Sequence, residues 1–285
     1  MTWSVCIFAH NEERRLPRCL AALDGAAAGG DYVVHVLENG STDMTACAAR
    51  AFAAADPRIR VHQLAVANKA NAWNDYIHRI AGEADMHIFL DGDVAPSRGA
   101  FKSLAFAFEG SPEAYAAAGL PANGRSRKAW TRRLLTEHYL SGNLYALSGA
   151  ALDLLRTRDI RLPFGALDED GLLTYILHTD LKGGRDDAHR QRVAIATGAF
   201  FEFDSLGFNL RDLALYRRRL KRYSKRYFQN QILYALLKEK GISALPERIA
   251  EIYSPENVAR LAPRIEFPNY FVDLETLRGL KAMMR

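Results

Sequence analysis

The sequence contains few cysteines, and they form no recognisable pattern. Cys6, Cys19 and Cys47 are the only three in 285 residues, and their spacing matches neither a metal-binding nor a redox motif. We therefore expect no disulfide framework and a reduced, cytoplasmic environment. Cys6 falls in a strand-like segment and Cys47 in an alanine-rich helical one, so both are predicted to be small core residues.

Long apolar segments are also missing. No stretch approaches the ~20 apolar residues that a membrane-spanning helix requires. The first residues lack the basic and then apolar layout of a secretory signal peptide. We therefore expect a cytoplasmic protein, in which any contact with a membrane is peripheral and at its inner face.

Two glycine-rich nucleotide motifs are absent. No G-x-G-x-x-G follows the first predicted strand, and no G-x-x-x-x-G-K-[ST] occurs in the chain. The sequence therefore excludes a Rossmann-type pyrophosphate cradle and a P-loop.

The overall composition is that of an ordinary globular protein. Hydrophobic residues make up 49% of the chain and charged residues 25%, with a formal net charge of +5. This length suits one large α/β domain, or one domain with an appendage. The mildly basic charge permits an anionic partner without identifying it.

The first half of the chain alternates strand-like and helix-like segments. Apolar runs predict four strands, at Trp3–Ala9, Tyr32–Glu38, Ile59–Ala65 and Met86–Asp91. Such alternation predicts βαβ units and an α/β fold, with a mostly parallel central sheet flanked by helices. The second half is less regular and includes a basic helix from about residue 209 to 240. We expect one domain over residues 1–206 and a helical C-terminal extension over residues 207–285.

Polar, acidic segments follow three of the predicted strands. They are HNEE at 10–13, ENGSTD at 38–43 and DGD at 91–93, and ligands of open parallel sheets bind at this edge. An acidic edge repels a diphosphate unless a cation lies between them. Asp91 and Asp93, brought close by Gly92, offer the hard oxygen ligands that Mg²⁺ or Mn²⁺ shares with substrate phosphates. The alternative for DGD is a plain turn, since Asp-Gly is a common turn dipeptide.

Six motifs occur in the order typical of family-two glycosyltransferases with the GT-A fold. They are SVCIFAHNEERRLPRCLAAL, VLENGSTDMT, NKANAWNDYI, IFLDGDVAPSRGAF, LDEDGLLTYIL and RLKRY. On these motifs, residues 4–223 resemble that family, which implies a GT-A-like domain. Four positions depart from the usual pattern: Phe8, Glu38 (often aspartate), Trp73 and Tyr223 (usually tryptophan).

The resemblance implies an inverting transfer of a sugar from a nucleoside-diphosphate sugar, with UDP favoured, to a glycan or lipid-linked acceptor. Asp93 would bind Mg²⁺ or Mn²⁺, and Asp91 would contact the ribose or the metal-bound water. Asp170 would be the general base, supported by Glu169. The implied donor-binding set also includes Ala9, Asn11, Glu12, Glu38, Asn39, Asp43, Lys69, Arg219 and Arg222. Acids such as Asp170 in the first turn of a helix also complement its dipole without any catalytic role.

A rival interpretation is a phosphohydrolase of the haloacid-dehalogenase type. Asp91 would then be the nucleophile and Asp93 the general acid, while Lys102 or Lys128 would supply the lysine. Asp186 and Asp187 would mimic the late acidic pair. The order of elements argues against this, because that nucleophile belongs on an early strand and three βα units precede Asp91 here.

The basic helix invites further interpretations. Seven of the ten residues Arg217–Arg226 are lysine or arginine. An apolar stripe that includes Tyr216 and Tyr223 predicts a docked surface helix, whose charges would lie in water or meet an anionic lipid surface or a phosphate. Nucleic-acid binding is the non-enzymatic alternative. We expect no nucleic-acid partner, because the charges form one local run and the sheet edge is acidic.

Overall fold

The computed structural model describes residues 1–185, 188–204 and 210–283, with side chains omitted for 210–215. The predicted boundary between residues 206 and 207 lies outside the described residues. So do Asp186 and Asp187. The chain forms a single mixed α/β domain, in which helices flank one sheet and a long helix follows in the C-terminal part.

Eight strands form the sheet in the described part of the chain. They are β1 (Thr2–Ala9), β2 (Asp31–Asn39), β3 (Ile59–Leu64), β4 (Met86–Asp91), β5 (Val94–Pro96), β6 (Ala116–Pro121), β7 (Leu144–Ser148) and β8 (Val193–Phe203). Their order is β3-β2-β1-β4-β7-β6-β8-β5. The strands β1 to β4 pair in parallel, as the sequence predicts. The sheet then becomes mixed, because β7 runs antiparallel to both β4 and β6.

Helices cover both faces of this sheet. They are α1 (Leu16–Ala21), α2 (Leu23–Ala27), α3 (Thr45–Ala55), α4 (Lys69–Asp75), α5 (Ala100–Glu109), α6 (Arg127–Glu137), α7 (Gly149–Thr157), α8 (Glu169–His178), α9 (Leu210–Lys240), α10 (Pro255–Ala259) and α11 (Asn269–Met283). A π-helical turn, Tyr76–Ile80, extends α4, and 3-10 turns occur at Arg190–Arg192, Ile242–Ala244 and Ile249–Ile252.

Successive residues of each strand face opposite sides of the sheet. This alternation divides the core into two layers and decides which side each residue at a strand end faces. On β1, Val5 and Ile7 enter the layer beneath α1, α2 and α5, while Cys6 and Phe8 enter the layer beneath α4 and α8. The same alternation on β4 points Phe89 toward α4 and α8. Asp91 follows Phe89 by two residues and therefore faces the same side.

The long helix α9 packs against the domain through an apolar stripe, which lies closer to the C-terminal end of the helix than predicted. Phe228, Ile232, Leu233 and Leu237 are buried in the layer beneath α4 and α8. Tyr216 and Tyr223, which the sequence placed in the docking stripe, are 51% and 45% exposed. The basic half of α9 therefore projects beyond the core that anchors its second half.

The structure corrects two further expectations. Cys47 is exposed, not a core residue, because its position on α3 faces away from the sheet. The sequence did not predict β5, three residues that follow DGD and pair with the end of β8. None of the helices in the described ranges is both long enough and apolar enough to cross a membrane.

Candidate active site

A polar pocket of about 420 Å³ opens at the carboxyl ends of β1, β2 and β4. Its lining combines three of the segments that sequence reasoning selected with residues from α4, α8 and α9. The lining consists of Phe8, Ala9, His10, Glu12, Asn39, Ala67, Asn68, Lys69, Asp91, Gly92, Asp93, Ala166, Leu167, Glu169 and Arg222. Eight of the thirteen predicted site residues therefore line one cavity.

Lys69 stands at the centre of this pocket, between two carboxylates. Its Nζ lies 2.5 Å from Asp91 Oδ1 and 3.0 Å from Glu169 Oε1. The geometry follows from the fold, because Asp91 faces α4 and Lys69 is the first residue of that helix, where Asn68 caps the backbone. One cation thus joins the end of β4 to the start of α8.

Charge and burial shift the pKa values of these groups in different directions. Burial raises the pKa of Asp91 to about 6, although Lys69 opposes the shift. Burial also raises the pKa of Glu169, but the positive charge of Lys69 outweighs this effect and holds that pKa below its ordinary value. Burial disfavours the charged form of Lys69, yet the two carboxylates raise its pKa well above normal. Lys69 therefore stays charged.

Asp91 and Asp93 are held by a tight turn against β1. The backbone N–H of Gly92 donates to the Phe8 carbonyl at 2.8 Å, and a Cβ at this position would lie 3.1 Å from the same oxygen. On the far side of the turn, β5 pairs with β8, so the turn is fixed at both ends. Glycine allows this close approach of the turn to β1.

A third carboxylate, that of Glu12, lies beside this turn, and Arg15 lies between it and Asp93. Arg15 Nη1 binds Glu12 Oε2 at 2.8 Å and lies 4.0 Å from Asp93 Oδ2. Burial, and next the charge of Asp93, raise the pKa of Glu12 to about 7. Glu12, Asp91 and Asp93 therefore repel one another across the mouth of the pocket.

This donor set fits a hard divalent cation. Asp91 and Asp93 present carboxylate oxygens from one fixed turn, and Glu12 lines the same pocket. No group of three or more His, Cys, Asp or Glu side chains forms a metal site within the described ranges. A cation held here would draw further ligands from a bound molecule or from water.

Asp170 lies immediately behind the pocket rather than in its lining. Its Oδ2 accepts a hydrogen bond from the backbone of Gly142 at 3.3 Å, and its Oδ1 accepts one from Gly171 at 3.0 Å. Burial, followed by the charges of Glu169 and Asp168, raises its pKa to about 6. Asp168, the N-cap of α8, makes no capping hydrogen bond through its side chain and instead binds Arg226 at 3.2 Å.

The ENGSTD segment divides its residues between the two faces of the sheet. Asn39 faces the pocket, where its Oδ1 accepts from the backbone of Asn68 at 3.0 Å. Glu38 faces the opposite side, is buried, and accepts from the backbone of Ser41 at 2.6 Å. Asp43 accepts from Thr45 at the start of α3. In this structure, Glu38 and Asp43 order the loop and do not line the cavity.

Asn11 and Arg219 also lie outside the lining. Asn11 adopts a left-handed conformation with φ of 56°, and its side chain accepts from the backbone of Thr42 at 2.8 Å, so it ties two loops together. Arg219 is exposed, whereas Arg222, one turn later on α9, enters the pocket. Of the two arginines predicted to bind the donor, α9 therefore places Arg222 in the pocket and Arg219 outside it.

Sequence reasoning missed several residues of the site. Arg15 pairs with Glu12, and Asn143 Nδ2 donates to Asp91 Oδ2 at 3.4 Å. Asn143 precedes β7, and only the antiparallel pairing of β7 with β4 brings it beside Asp91. That pairing has no short sequence signal. Arg15 is three residues from Glu12 at the start of α1, a helical spacing that could have suggested their contact.

Comparison with known proteins defines the class. The fold is that of GT-A glycosyltransferases. A mannosyltransferase from Pyrobaculum calidifontis, solved with GDP-Man and Mn²⁺, matches 99% of this chain and 74% of its own, at 18% identity and a TM-score of 0.57. Glucosyl-3-phosphoglycerate synthase from Mycobacterium tuberculosis, solved with Mn²⁺, UDP and phosphoglyceric acid, matches 79% and 78%, at 21% identity and a TM-score of 0.53. TarS of S. aureus, residues 1–349, matches 94% and 95%, at 15% identity and a TM-score of 0.51.

The family follows from the sequence match. The model of Glycosyl transferase family 2 covers residues 4–223, and the chain belongs to this family. It is therefore an enzyme of the glycosyltransferase class. No curated protein sequence gives a significant match. The phosphohydrolase alternative is not favoured, because its nucleophile Asp91 here belongs to the fourth strand of a glycosyltransferase fold.

Proposed function

We propose that this protein transfers a sugar from a nucleoside-diphosphate sugar to an acceptor hydroxyl, with inversion at the anomeric carbon and dependence on a divalent cation. The observation that carries the proposal is the convergence of Asp91, Asp93, Lys69 and Glu169 in one pocket at the carboxyl edge of the sheet. Such a pocket suits a ligand that combines phosphate, cation and polar sugar.

Asp91 and Asp93 would hold Mg²⁺ or Mn²⁺. The bound cation would act as a Lewis acid for the diphosphate leaving group. Lys69 orients Asp91 and Glu169 through its two ion pairs, and Arg222 adds positive charge from α9. Ala9, Glu12 and Asn39 would line the nucleoside and diphosphate, with Asn11, Glu38 and Asp43 ordering the surrounding loops.

Asp170 would act as the general base. It accepts the proton of the acceptor hydroxyl while that oxygen bonds to the anomeric carbon and the bond from this carbon to the diphosphate breaks. Attack from the face opposite the leaving group gives inversion. A carboxylate with a pKa of about 6 is ionised at neutral pH, yet it is more basic than an exposed aspartate. Glu169 supports it from the adjacent position.

For the donor we favour a UDP sugar. Similar structures contain either GDP-Man or UDP, so both classes belong in the test. For the acceptor we favour a glycan or lipid-linked molecule. Arg217–Arg226 would bring the enzyme to the inner face of a membrane. We expect acceptor contacts from residues 125–143, which include α6 (Arg127–Glu137).

Calorimetric titration with UDP, GDP and dTDP, each with Mn²⁺ and again with EDTA, tests the donor site. We expect one nucleotide to bind with Mn²⁺ and to lose its binding in EDTA and in Asp93→Ala. Asp153→Ala, at an exposed residue on α7, is the matched control and should bind as wild type does. Absence of binding for all three nucleotides would contradict the proposal.

A further inference from the structure

An exposed apolar cluster precedes and opens α11. Ile265, Phe267 and Phe271 are 93%, 84% and 65% exposed, and Tyr270 is 38% exposed. The rings of Phe267 and Phe271 lie 6.5 Å apart and those of Tyr270 and Phe271 lie 5.6 Å apart. Soluble surfaces seldom expose several large apolar side chains together, and such a patch indicates an interaction site. We call these four residues the apolar tip.

The apolar tip is held firmly on its inner side. Arg264 binds the buried Asp273 through Nη2 at 2.7 Å and through Nε at 2.8 Å. The Arg264 guanidinium also lies over the ring of Tyr227 on α9, 4.6 Å from its centroid. The tip is therefore anchored to α9 although its own side chains project outward.

Basic side chains adjoin the tip on two helices. On α9, Arg217, Lys221 and Lys225 share one face at intervals of four, and Lys221 binds Glu275 of α11 at 2.6 Å. On α11, Phe271, Glu275 and Arg278 share a face at intervals of four and three. The ion pair therefore brings the basic face of α9 beside the face that carries Phe271.

The positive charge of this area exceeds its negative charge. Lys225 and Arg278 are exposed and have no ion-pair partner among the described side chains. The carboxylates in the same area are Glu266, which is exposed, Asp273, which Arg264 neutralises, and Glu275, which Lys221 neutralises. An apolar tip beside uncompensated cations is complementary to an anionic lipid surface, in which acyl chains receive the rings and phosphates receive the cations.

The two sides of α9 have different partners. Arg222 lines the candidate active site and Arg226 binds Asp168 at 3.2 Å, whereas Arg217, Lys221 and Lys225 lie toward α11. The run of seven basic residues is thus not one continuous patch. On the side toward α11, the cations lie beside the helix that carries Tyr270 and Phe271 of the apolar tip.

We propose that Ile265, Phe267, Tyr270 and Phe271 insert into the interface of an anionic bilayer while Lys225, Arg217 and Arg278 bind its headgroups. This surface is separate from the proposed transferase site, so its test requires no activity. The sequence predicted membrane contact through Arg217–Arg226 alone. The proposal adds the apolar tip, a different segment of the chain, as the part that inserts into the bilayer.

Flotation with vesicles tests the proposal on the full chain. Wild type should bind vesicles of phosphatidylcholine with 30% phosphatidylglycerol (on the order of physiological anionic content) and not phosphatidylcholine alone. Ile265→Ser with Phe271→Ser should lower partitioning about tenfold or more. Lys225→Gln with Arg278→Gln should lower it roughly fivefold per cation. Phe106→Ser, at a residue 72% exposed on α5, is the matched control and should leave it unchanged.

Insertion has its own measurement, which does not depend on loss of binding. Phe267→Trp should show a blue-shifted emission with anionic vesicles and quenching by brominated lipid, whereas Phe106→Trp should show neither. Lack of vesicle binding by wild type, or binding that all these variants retain, would overturn the proposal. Sedimentation of the same proteins tests the competing occupant, a second copy of the chain. If wild type binds no vesicles and forms a dimer that Ile265→Ser with Phe271→Ser dissociates, the apolar tip is a dimer interface.

Discussion

Lys69 and Asp91 form an ion pair of 2.5 Å at the point where β4 ends and α4 begins. The same lysine reaches Glu169 at 3.0 Å, so one side chain connects the proposed cation site to the helix that carries the proposed base. Each of its partners is largely shielded from water, which makes the pairing stronger than one at the surface.

Replacing Lys69 by methionine should therefore destabilise the protein as well as the site. The change leaves two largely buried carboxylates without their cation, and we expect the free energy of unfolding to fall by about 2 kcal/mol. Urea denaturation at pH 7 measures this. Lys102→Met, at an exposed lysine of α5, should stay within about 0.5 kcal/mol of wild type. Equal stability of the two variants would show that the Lys69 pairs contribute nothing.

The pH dependence of transfer should follow carboxylate ionisation. The pKa of Asp170 is about 6, and that of Asp91 is also about 6. Below these values the proposed base is protonated, so kcat/KM should fall as the pH drops below 6 and level off above 7. Asp170→Asn should lower kcat by a factor of about 10² to 10⁴, while Asp153→Asn serves as control. A profile that stays flat from pH 5 to 8 would be incompatible with this role.

A buried histidine network should make the fold sensitive to acid. His87 Nδ1 lies 3.0 Å from the hydroxyl of Tyr76, and burial lowers the pKa of His87 to about 4. Between pH 6.5 and 4 the unfolded chain therefore binds a proton at this residue that the folded chain does not. Stability contributed by neutral His87 is present above pH 6.5 and is lost as the pH falls, by at most about 1.4 kcal/mol per pH unit.

The variant His87→Gln isolates this contribution. Urea denaturation at pH 7.5 and pH 5 should show a smaller loss of stability on acidification than in wild type. Taking the difference between proteins removes the opposite effect of Glu12, Asp91 and Asp170, whose raised pKa values favour the folded state as the pH falls. His10→Gln, at an exposed histidine, should keep the wild-type difference. An identical pH response in His87→Gln and wild type would contradict the assignment.

Gly92 offers a test of the turn itself. In Gly92→Ala the new Cβ would lie 3.1 Å from the Phe8 carbonyl oxygen, so Asp91 and Asp93 should shift. We expect nucleotide affinity in the presence of Mn²⁺ to fall about tenfold, with a stability loss of about 1 kcal/mol. Gly82→Ala meets nothing within 4 Å and should be neutral or slightly stabilising. Unchanged affinity in Gly92→Ala would show that close packing does not set the positions of the carboxylates.

Much of the first half of the fold was predictable because each element depends on a local pattern. The four parallel strands follow from apolar runs, and their carboxyl ends then meet at one edge. The sequence also indicated DGD, which follows a predicted strand directly, whereas Lys69 was indicated only by the family resemblance. Which of two adjacent residues enters the pocket depends on strand parity, so Asn39 enters and Glu38 does not.

Other features depend on contacts that are remote in the sequence. The antiparallel insertion of β7 beside β4 places Asn143 against Asp91 and Gly142 against Asp170. The pairing of β5 with β8 joins residues 94–96 to 201–203. One side of α9 meets the start of α8, where Arg226 binds Asp168, and the other meets α11, where Lys221 binds Glu275. No window of neighbouring residues contains that information.

The turn that carries Asp91 and Asp93 is fixed by a strand on each side, β4 in the centre of the sheet and β5 at its edge. The conformational entropy of ordering these carboxylates is therefore lost when the chain folds and not when a ligand arrives. Ligand affinity at this site is thereby coupled to the integrity of the β5–β8 ladder. A substitution in β8, although remote in sequence from Asp91 and Asp93, would therefore lower the affinity of the pocket for its ligand slightly.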